Sequence, residues 1–266
     1  MKSIHVLTAI LLIIGSLSVG AQTTGGSIEL GSASRIELAS RDLLESLTWW
    51  ARLGFSPIRR PGDRVDSALT LSDGQLIITL VKKSQPSPMV IFRVDDLDAT
   101  KRNLLAMGYR LEADAEGGAT RELRLRSPSS VFITIRDRRI ENEVRSTSEL
   151  NPVCGKLTEL STAIDTLAKE QPWWMKLGFK INRESTTPYP FVYLTSGFTE
   201  LGIHEGRDIP SLALTYFMPD MLNRINRLRE QGLEAAEIIP GPDSLPRNAI
   251  YVSPDGQLVY LFEGNR

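Results

Sequence analysis

Residues 49–55 read Trp49-Trp50-Ala51-Arg52-Leu53-Gly54-Phe55, and residues 173–179 read Trp173-Trp174-Met175-Lys176-Leu177-Gly178-Phe179. The second copy lies 124 positions after the first. Working outward, Leu71-Ser72-Asp73-Gly74 returns as Leu194-Thr195-Ser196-Gly197, the segment from Asp96 to Gly108 returns from Asp220 to Gly232, and Ser127-Pro128 returns as Ser253-Pro254. Landmarks kept in one order at near-constant spacing mark an internal duplication. The chain of 266 residues therefore reads as two modules, 35–137 and 155–266, joined by a polar linker at 138–154.

Each module repeats one order of elements. Ile36 and Leu38 alternate with Arg35, Glu37 and Ala39, the pattern of a half-buried strand. Asp42 then opens a helix with Glu45 three residues on, as in a capping box. Leu43, Leu47, Trp50 and Leu53 fall on one helical face, and Gly54 suits a left-handed terminator. Strands are expected at 68–71 and 76–81 around the Ser72-Asp73-Gly74 turn, at 90–94, at 122–125 and at 131–135. Asp96 starts a second helix with Leu97, Leu104 and Leu105 inward and Gly108 at its end. In the second half, Leu222, Ile225 and Leu228 are the expected inward face of the matching helix. Pro172 falls inside the other, which predicts a kink there or a start near Pro172. Adjacent helix positions diverge by about 100°, so only one tryptophan of each pair can enter the core.

Composition narrows the function. Hydrophobic residues make up 41% and charged residues 24%, and the net charge is −1. That balance gives no footprint for nucleic acid or an anionic membrane. Arg136, Arg138 and Arg139 are diluted by Asp137 and Glu141 and read as a solvated face. Lys2, the apolar run from Val6 to Ile14 and the small residues ending Val19-Gly20-Ala21 have the form of a secretory signal peptide over 1–21. A flexible segment, 22–34, is expected to follow it. The apolar run is too short for a span of about 20 residues, so no integral membrane domain is expected. The mature protein is expected to be exported, periplasmic or secreted, after cleavage near Ala21. Cys154 is the only cysteine, so no intramolecular disulfide can form, and it reads as an unpaired small residue of the linker.

Three features resemble the vicinal oxygen chelate superfamily, which includes glyoxalases, bleomycin resistance proteins and extradiol dioxygenases. One is a strand followed by Asp42 opening a helix that ends Leu53-Gly54-Phe55. Another is Val94-Asp95-Asp96-Leu97 before a helix ending at Gly108. The last is Ser253-Pro254-Asp255-Gly256 before an apolar strand, which is similar to that family's closing hairpin. The resemblance covers nearly all of 35–264, twice. It implies an α+β fold of tandem modules, each built from paired βαβββ units forming a curved sheet with helices on its outer face. It also implies that the two modules pair with each other within the chain and that a small molecule sits in a concave sheet.

In metal-dependent members a histidine sits in the first strand, about seven residues before the helix-opening Asp. A second histidine opens the fifth strand and a glutamate lies in the last. The resemblance carries these roles to Arg35, Met89 and Thr134 in the first module. In the second it carries them to a position near Leu157, to Ser211-Leu212-Ala213 and to Tyr260. None is an expected ligand. A catalytic transition metal needs about three converging imidazole or carboxylate donors. Beyond the leader the only histidine is His204, which excludes a two-histidine iron site of the usual extradiol kind. The expectation is a small-molecule-binding protein without a metal cofactor, whose candidate ligand-binding residues are Arg35, Glu37, Glu159, Tyr193 and Tyr260. Tyr260, in place of a carboxylate, suits an aromatic or hydroxylated molecule rather than a cation. The alternative is a divalent-metal-dependent lyase or isomerase using Glu37, Glu159 and His204. The bland reading makes His204 a surface or strand-end residue. A third possibility is a non-catalytic structural or interaction protein.

Overall fold

The computed structural model describes residues 28, 30, 33–58, 66–114, 121–138, 153–197, 199–207, 209 and 212–264. The expected leader at 1–21, most of the segment 22–34 and most of the linker 138–154 lie outside them.

Module 1 is two βαβββ units. The first comprises β1 (Ala33–Ala39), α1 (Leu43–Arg52), β2 (Ser56–Pro57), β3 (Ala68–Ser72) and β4 (Ile77–Val81). The second comprises β5 (Met89–Val94), α2 (Leu97–Ala106), β6 (Ala113–Asp114), β7 (Glu122–Arg126) and β8 (Phe132–Asp137). Module 2 repeats the order. Its first unit is β9 (Leu157–Ile164), α3 (Leu167–Lys176), β10 (Lys180–Ser185), β11 (Phe191–Thr195) and β12 (Glu200–Glu205). Its second is β13 (Ala213–Met218), α4 (Met221–Glu230), β14 (Glu237–Ile239), β15 (Asn248–Val252) and β16 (Leu258–Glu263). Each module makes one eight-stranded mixed sheet, in the orders β2-β3-β4-β1-β5-β8-β7-β6 and β10-β11-β12-β9-β13-β16-β15-β14. The units join through their first strands, β1 with β5 and β9 with β13, both antiparallel.

Local chemistry accounts for the helix ends. Asp42 Oδ1 accepts from the N–H of Leu44 at 2.9 Å and of Glu45 at 3.1 Å, satisfying donors the helix leaves open. Gly54 and Gly178 take φ of 94° and 89° at matching ends of α1 and α3, a conformation costly for side-chain-bearing residues. The inner faces differ from expectation at single positions. Leu105 is 52% exposed, because it lies about 100° around the helix from Leu104; Thr100 takes the inward place. In α4 the buried residues are Met221, Ile225 and Leu228, with Leu222 only partly covered. The helix does not begin near Pro172: α3 starts at Leu167, capped by the Thr166 hydroxyl, and continues through the proline. Pro172 falls in the second turn, where its missing N–H removes a single bond near an end already short of partners.

Trp50 and Trp174 are fully buried, and each meets the phenylalanine that follows its glycine, Phe55 or Phe179, edge to face at 5.1 Å. One apolar core runs through both modules. Phe92 of module 1 meets Phe179 of module 2 edge to face at 6.1 Å, and the Tyr109 hydroxyl donates to the Trp173 carbonyl at 2.5 Å. Cys154 belongs to this core rather than to a solvated linker: it is 2% exposed, and burial pushes its thiol well above the usual range.

A pair of polar contacts across the module boundary is related by the duplication. Glu170 on α3 accepts from the Ser129 N–H at 2.8 Å and the Ser129 hydroxyl at 2.7 Å in the β7–β8 hairpin. At the matching place, the Ser46 hydroxyl on α1 donates to Asp255 in the β15–β16 hairpin, and Asp255 also accepts from the Arg41 N–H at 3.1 Å. The acid is on the helix in one contact and on the hairpin in the other.

Candidate functional site

Strand alternation sends Ile36, Leu38, Ile133 and Ile135 toward the helices and Arg35, Glu37, Thr134 and Arg136 to the concave face of module 1. That face is filled by a ladder of charges. Glu37 Oε1 receives Arg35 Nη2 at 2.9 Å and Arg136 Nη1 at 2.6 Å, while its Oε2 receives Arg136 Nη2 at 3.1 Å. Arg136 Nε reaches Glu122 Oε2 at 3.0 Å, and Arg124 Nε reaches Glu122 Oε1 at 2.8 Å. Beside the ladder, the Thr70 and Thr79 hydroxyls meet at 3.3 Å and Thr134 donates to Met89 Sδ at 2.8 Å. Burial would push the Glu37 carboxyl up; the guanidiniums of Arg136 and Arg35 override it and hold the group at about 2. Arg136 is thus part of a buried network, its side chain 11% exposed, and not of a solvated face. Arg138, two residues later, is 56% exposed, as a solvated residue should be.

Module 2 keeps an open cup. Its concave face carries Glu159 and Ser161 on β9, Thr215 on β13, and Gly202 and His204 on β12. Glu159 Oε1 accepts from the Ser161 hydroxyl at 2.5 Å and lies 3.2 Å from His204 Nε2. Ser161 and Thr215 share a hydrogen bond of 2.6 Å. His204 Nδ1 lies 3.3 Å from the Tyr189 hydroxyl. Gly202 makes the arrangement possible: a Cβ there would stand 2.7 Å from the Glu159 carboxylate, so the missing side chain is the space that the carboxylate occupies. Beside Glu159 opens a cavity of about 920 Å³, lined by Glu159, Tyr193, Arg183, Lys156, Glu200 and Phe217 of module 2 and, from module 1, by residues that include Arg35 and Leu76. The start of β1 is tied to the rim by the Ala33 N–H, which donates to the Thr199 hydroxyl at 3.0 Å.

The expected site residues separate. Arg35, Glu159 and Tyr193 line one cavity. Glu37 lies in the other sheet between two arginines. Tyr260 is 8% exposed in an apolar cluster with Ala213 and Leu258 and is not among the residues lining the cavity. His204 is 6% exposed and bonded to Glu159, so the surface reading of it fails.

Strand register also corrects the expected correspondences. Ile91 stands opposite both Arg35 and Thr134; Met89 is one step along the face, opposite Glu37. In module 2 the same row is Glu159, Thr215 and Tyr260, which replaces the positions near Leu157 and in Ser211-Leu212-Ala213. Arg35, not Glu37, is therefore the counterpart of Glu159. Of the ladder partners, Arg136 reads in the sequence as part of a solvated face and Glu122 and Arg124 are not singled out there, although Glu122-Leu123-Arg124-Leu125 carries the signal: charges at every second position of an apolar strand.

These rows do not fit a catalytic metal. Arg35, Ile91 and Thr134 offer a permanent cation, a hydrocarbon and a neutral hydroxyl. Glu159, Thr215 and Tyr260 offer one carboxylate, with His204 as its neighbour. Among the described residues no three histidine, cysteine, aspartate or glutamate side chains converge.

No protein-family model matches the sequence, and neither does any curated protein. The fold is similar to that of several solved structures. Catechol 2,3-dioxygenase superposes with a TM-score of 0.58 at 16% identity, covering 87% of each chain. The Mn(II)-bound glyoxalase from Novosphingobium aromaticivorans gives 0.61 at 14% identity, over 86% of this chain and 81% of that one. A variant of homoprotocatechuate 2,3-dioxygenase from Brevibacterium fuscum gives 0.63 at 12% identity, over 91% and 73%. The protein has the α+β vicinal oxygen chelate fold of these proteins, in two tandem modules.

Proposed function

We propose that the protein is exported and binds a small organic molecule in the module 2 cup without a catalytic metal. The observation that carries this reading is the contrast between the two concave faces. One is filled by its own ion pairs. The other leaves about 920 Å³ beside a buried carboxylate, a volume in the roughly 300–1,000 Å³ range of ligand pockets. No helix among the described residues is long and apolar enough to cross a membrane.

A thermal-shift screen of the purified protein against a small-molecule library tests the binding. A ligand at about a hundredfold excess over its Kd adds about 2.7 kcal/mol to the apparent stability, which is read as a raised Tm. Dialysis against EDTA is expected to leave both Tm and ligand binding unchanged. Binding lost to EDTA and restored by one divalent ion would instead support a metal site built on the adjacent Glu159 and His204. A library without a hit would favour a structural role in which the modules only bury each other. For export, protein recovered outside the cytoplasm should begin at Gln22; a full-length chain retaining Lys2 would contradict it.

A further inference from the structure

Resting on the binding reading above, we infer that the ligand of the cavity is a saccharide, an uncharged molecule whose hydroxyls meet the wall and whose C–H faces lie on the rings of Tyr193 and Phe217. The charges of the wall set the first half. Arg35, Lys156 and Arg183 line the cavity together with Glu159 and Glu200. The two signs interleave: Asn182, which precedes Arg183, donates to Glu200 at 2.9 Å. An anion drawn to Lys156 or Arg183 is repelled by Glu200 and Glu159, and a cation meets the reverse. Much of this charge is also engaged within the protein, Arg35 with Glu37, Glu159 with Ser161 and His204, and Glu200 with Asn182. A hydroxyl both donates and accepts, so one uncharged group gives a hydrogen to a carboxylate and takes one from a guanidinium or an ammonium. Hydrogen bonds of that kind, with one charged partner, are the stronger ones.

The neutral groups of the wall set the second half. The Thr195 and Thr199 hydroxyl oxygens accept the N–H of Gly197 and of Ala33, each at 3.0 Å, and each hydroxyl keeps a hydrogen to donate. An apolar ligand would cover these hydroxyls, the Asn182 amide and the charges without replacing their water. Tyr193 and Phe217 line the same cavity and are half-buried, and the electron-rich face of an aromatic ring attracts C–H groups. A sugar ring carries hydroxyls on its rim and C–H groups on its faces, and the wall offers partners for both. The volume of about 920 Å³ is toward the upper end of the roughly 300–1,000 Å³ of ligand pockets, which favours a disaccharide over a single sugar ring.

Isothermal titration with glucose, maltose, cellobiose, lactose and sucrose, and with the charged relatives glucosamine and glucuronate, tests the assignment. At least one neutral disaccharide should bind, and its affinity should change less than about twofold between about 0.1 M and about 1 M salt, where the Debye length falls from about 10 Å to about 3 Å. Glucosamine and glucuronate should bind no more tightly than glucose. Tyr193→Ala should lower the disaccharide affinity about tenfold or more. Asn182→Ala, at an exposed position, should lower it about three- to tenfold and keeps the test open if Tyr193→Ala impairs folding. A charged sugar bound about tenfold more tightly than glucose, an affinity about tenfold lower in the stronger salt, or both variants binding like the parent would overturn the saccharide. If no sugar binds while a library compound raises Tm, the saccharide falls and the binding reading stands. If nothing binds, both fall.

Discussion

Glu37→Ala is expected to lower the unfolding free energy by about 3–5 kcal/mol, read as a drop in the urea midpoint without a change in slope. The size follows from what stays behind. Arg35 and Arg136, with side chains 5% and 11% exposed, lose the carboxylate between them and remain as two like charges in one concave face. The same network predicts acid sensitivity. The Glu37 carboxyl is held at about 2 in the folded chain against an ordinary 4.5, so it binds its proton more weakly folded than unfolded. Its contribution is fully present above about pH 4.5 and is lost as the pH falls through about 2. Over that window about 3 kcal/mol should disappear in the parent protein and should not disappear in Glu37→Ala. A variant as stable as the parent at pH 7, with the same acid profile, would show that the ladder contributes nothing.

The second large effect is expected at the module boundary. Glu170 is 1% exposed and accepts three hydrogen bonds, from the Ser129 N–H, the Ser129 hydroxyl and the Trp174 indole, the last at 2.8 Å. Glu170→Ala strands the buried Trp174 indole N–H and takes a charged acceptor from the half-buried Ser129 N–H and hydroxyl. A buried donor left unmatched costs about 1–3 kcal/mol and hydrogen bonds to a charged group lie at the strong end, so a loss of about 3 kcal/mol is expected on chemical denaturation. Ser46→Ala, at the matching place on α1, removes one hydroxyl and leaves Asp255 its bond from Arg41; a loss of about 1 kcal/mol is expected there. Equal losses from the two variants would contradict the account.

Much of the architecture was legible because it rests on local rules written twice. The Trp-Trp…Leu-Gly-Phe repeat, the Asp42 cap and the glycines at 54, 108, 178 and 232 locate helices and their ends without any long-range information. Alternation around Ile36 and Leu38 already puts Arg35 and Glu37 together on one side of β1, which in the folded sheet is the concave one. What could not be read was which charges meet. Arg136 comes next to Asp137 in the sequence, but its partners Glu37 and Glu122 are 99 and 14 positions away and meet it only across the sheet. His204 is buried, not a surface residue: it meets Glu159, 45 positions earlier, as the metal-dependent alternative groups them, while that alternative's third member, Glu37, lies in the other sheet. Register was the other blind spot. A two-residue slip separates Glu37 from the true counterpart of Glu159, and strands keep the same facing under a shift of two. Tyr260 is a candidate through its place in the last strand, where the family resemblance puts a glutamate; in the fold it is buried with Leu258 and Ala213 and is not among the residues lining the cavity.

The modules have diverged in what their cups contain. In module 1, five charged residues make the sheet self-sufficient; in module 2 a glycine at 202 clears space for the acid at 159. Arg35 joins the two, ending the ladder on one side and facing the cavity on the other. Substitutions in the ladder are therefore able to alter the cavity wall without touching module 2.

The crossed placement of acid and hydroxyl at the boundary also discriminates self from non-self. If two copies of module 2 assembled by the same geometry, Glu170 of one would confront Asp255 of the other, carboxylate against carboxylate, at both symmetry-related places. Two copies of module 1 would bring Ser46 to Ser129 and forfeit both carboxylate contacts. Only the unlike combination satisfies both junctions, so strand exchange between chains has to reproduce a one-to-two arrangement, and an excised half has no matching copy of itself to lean on.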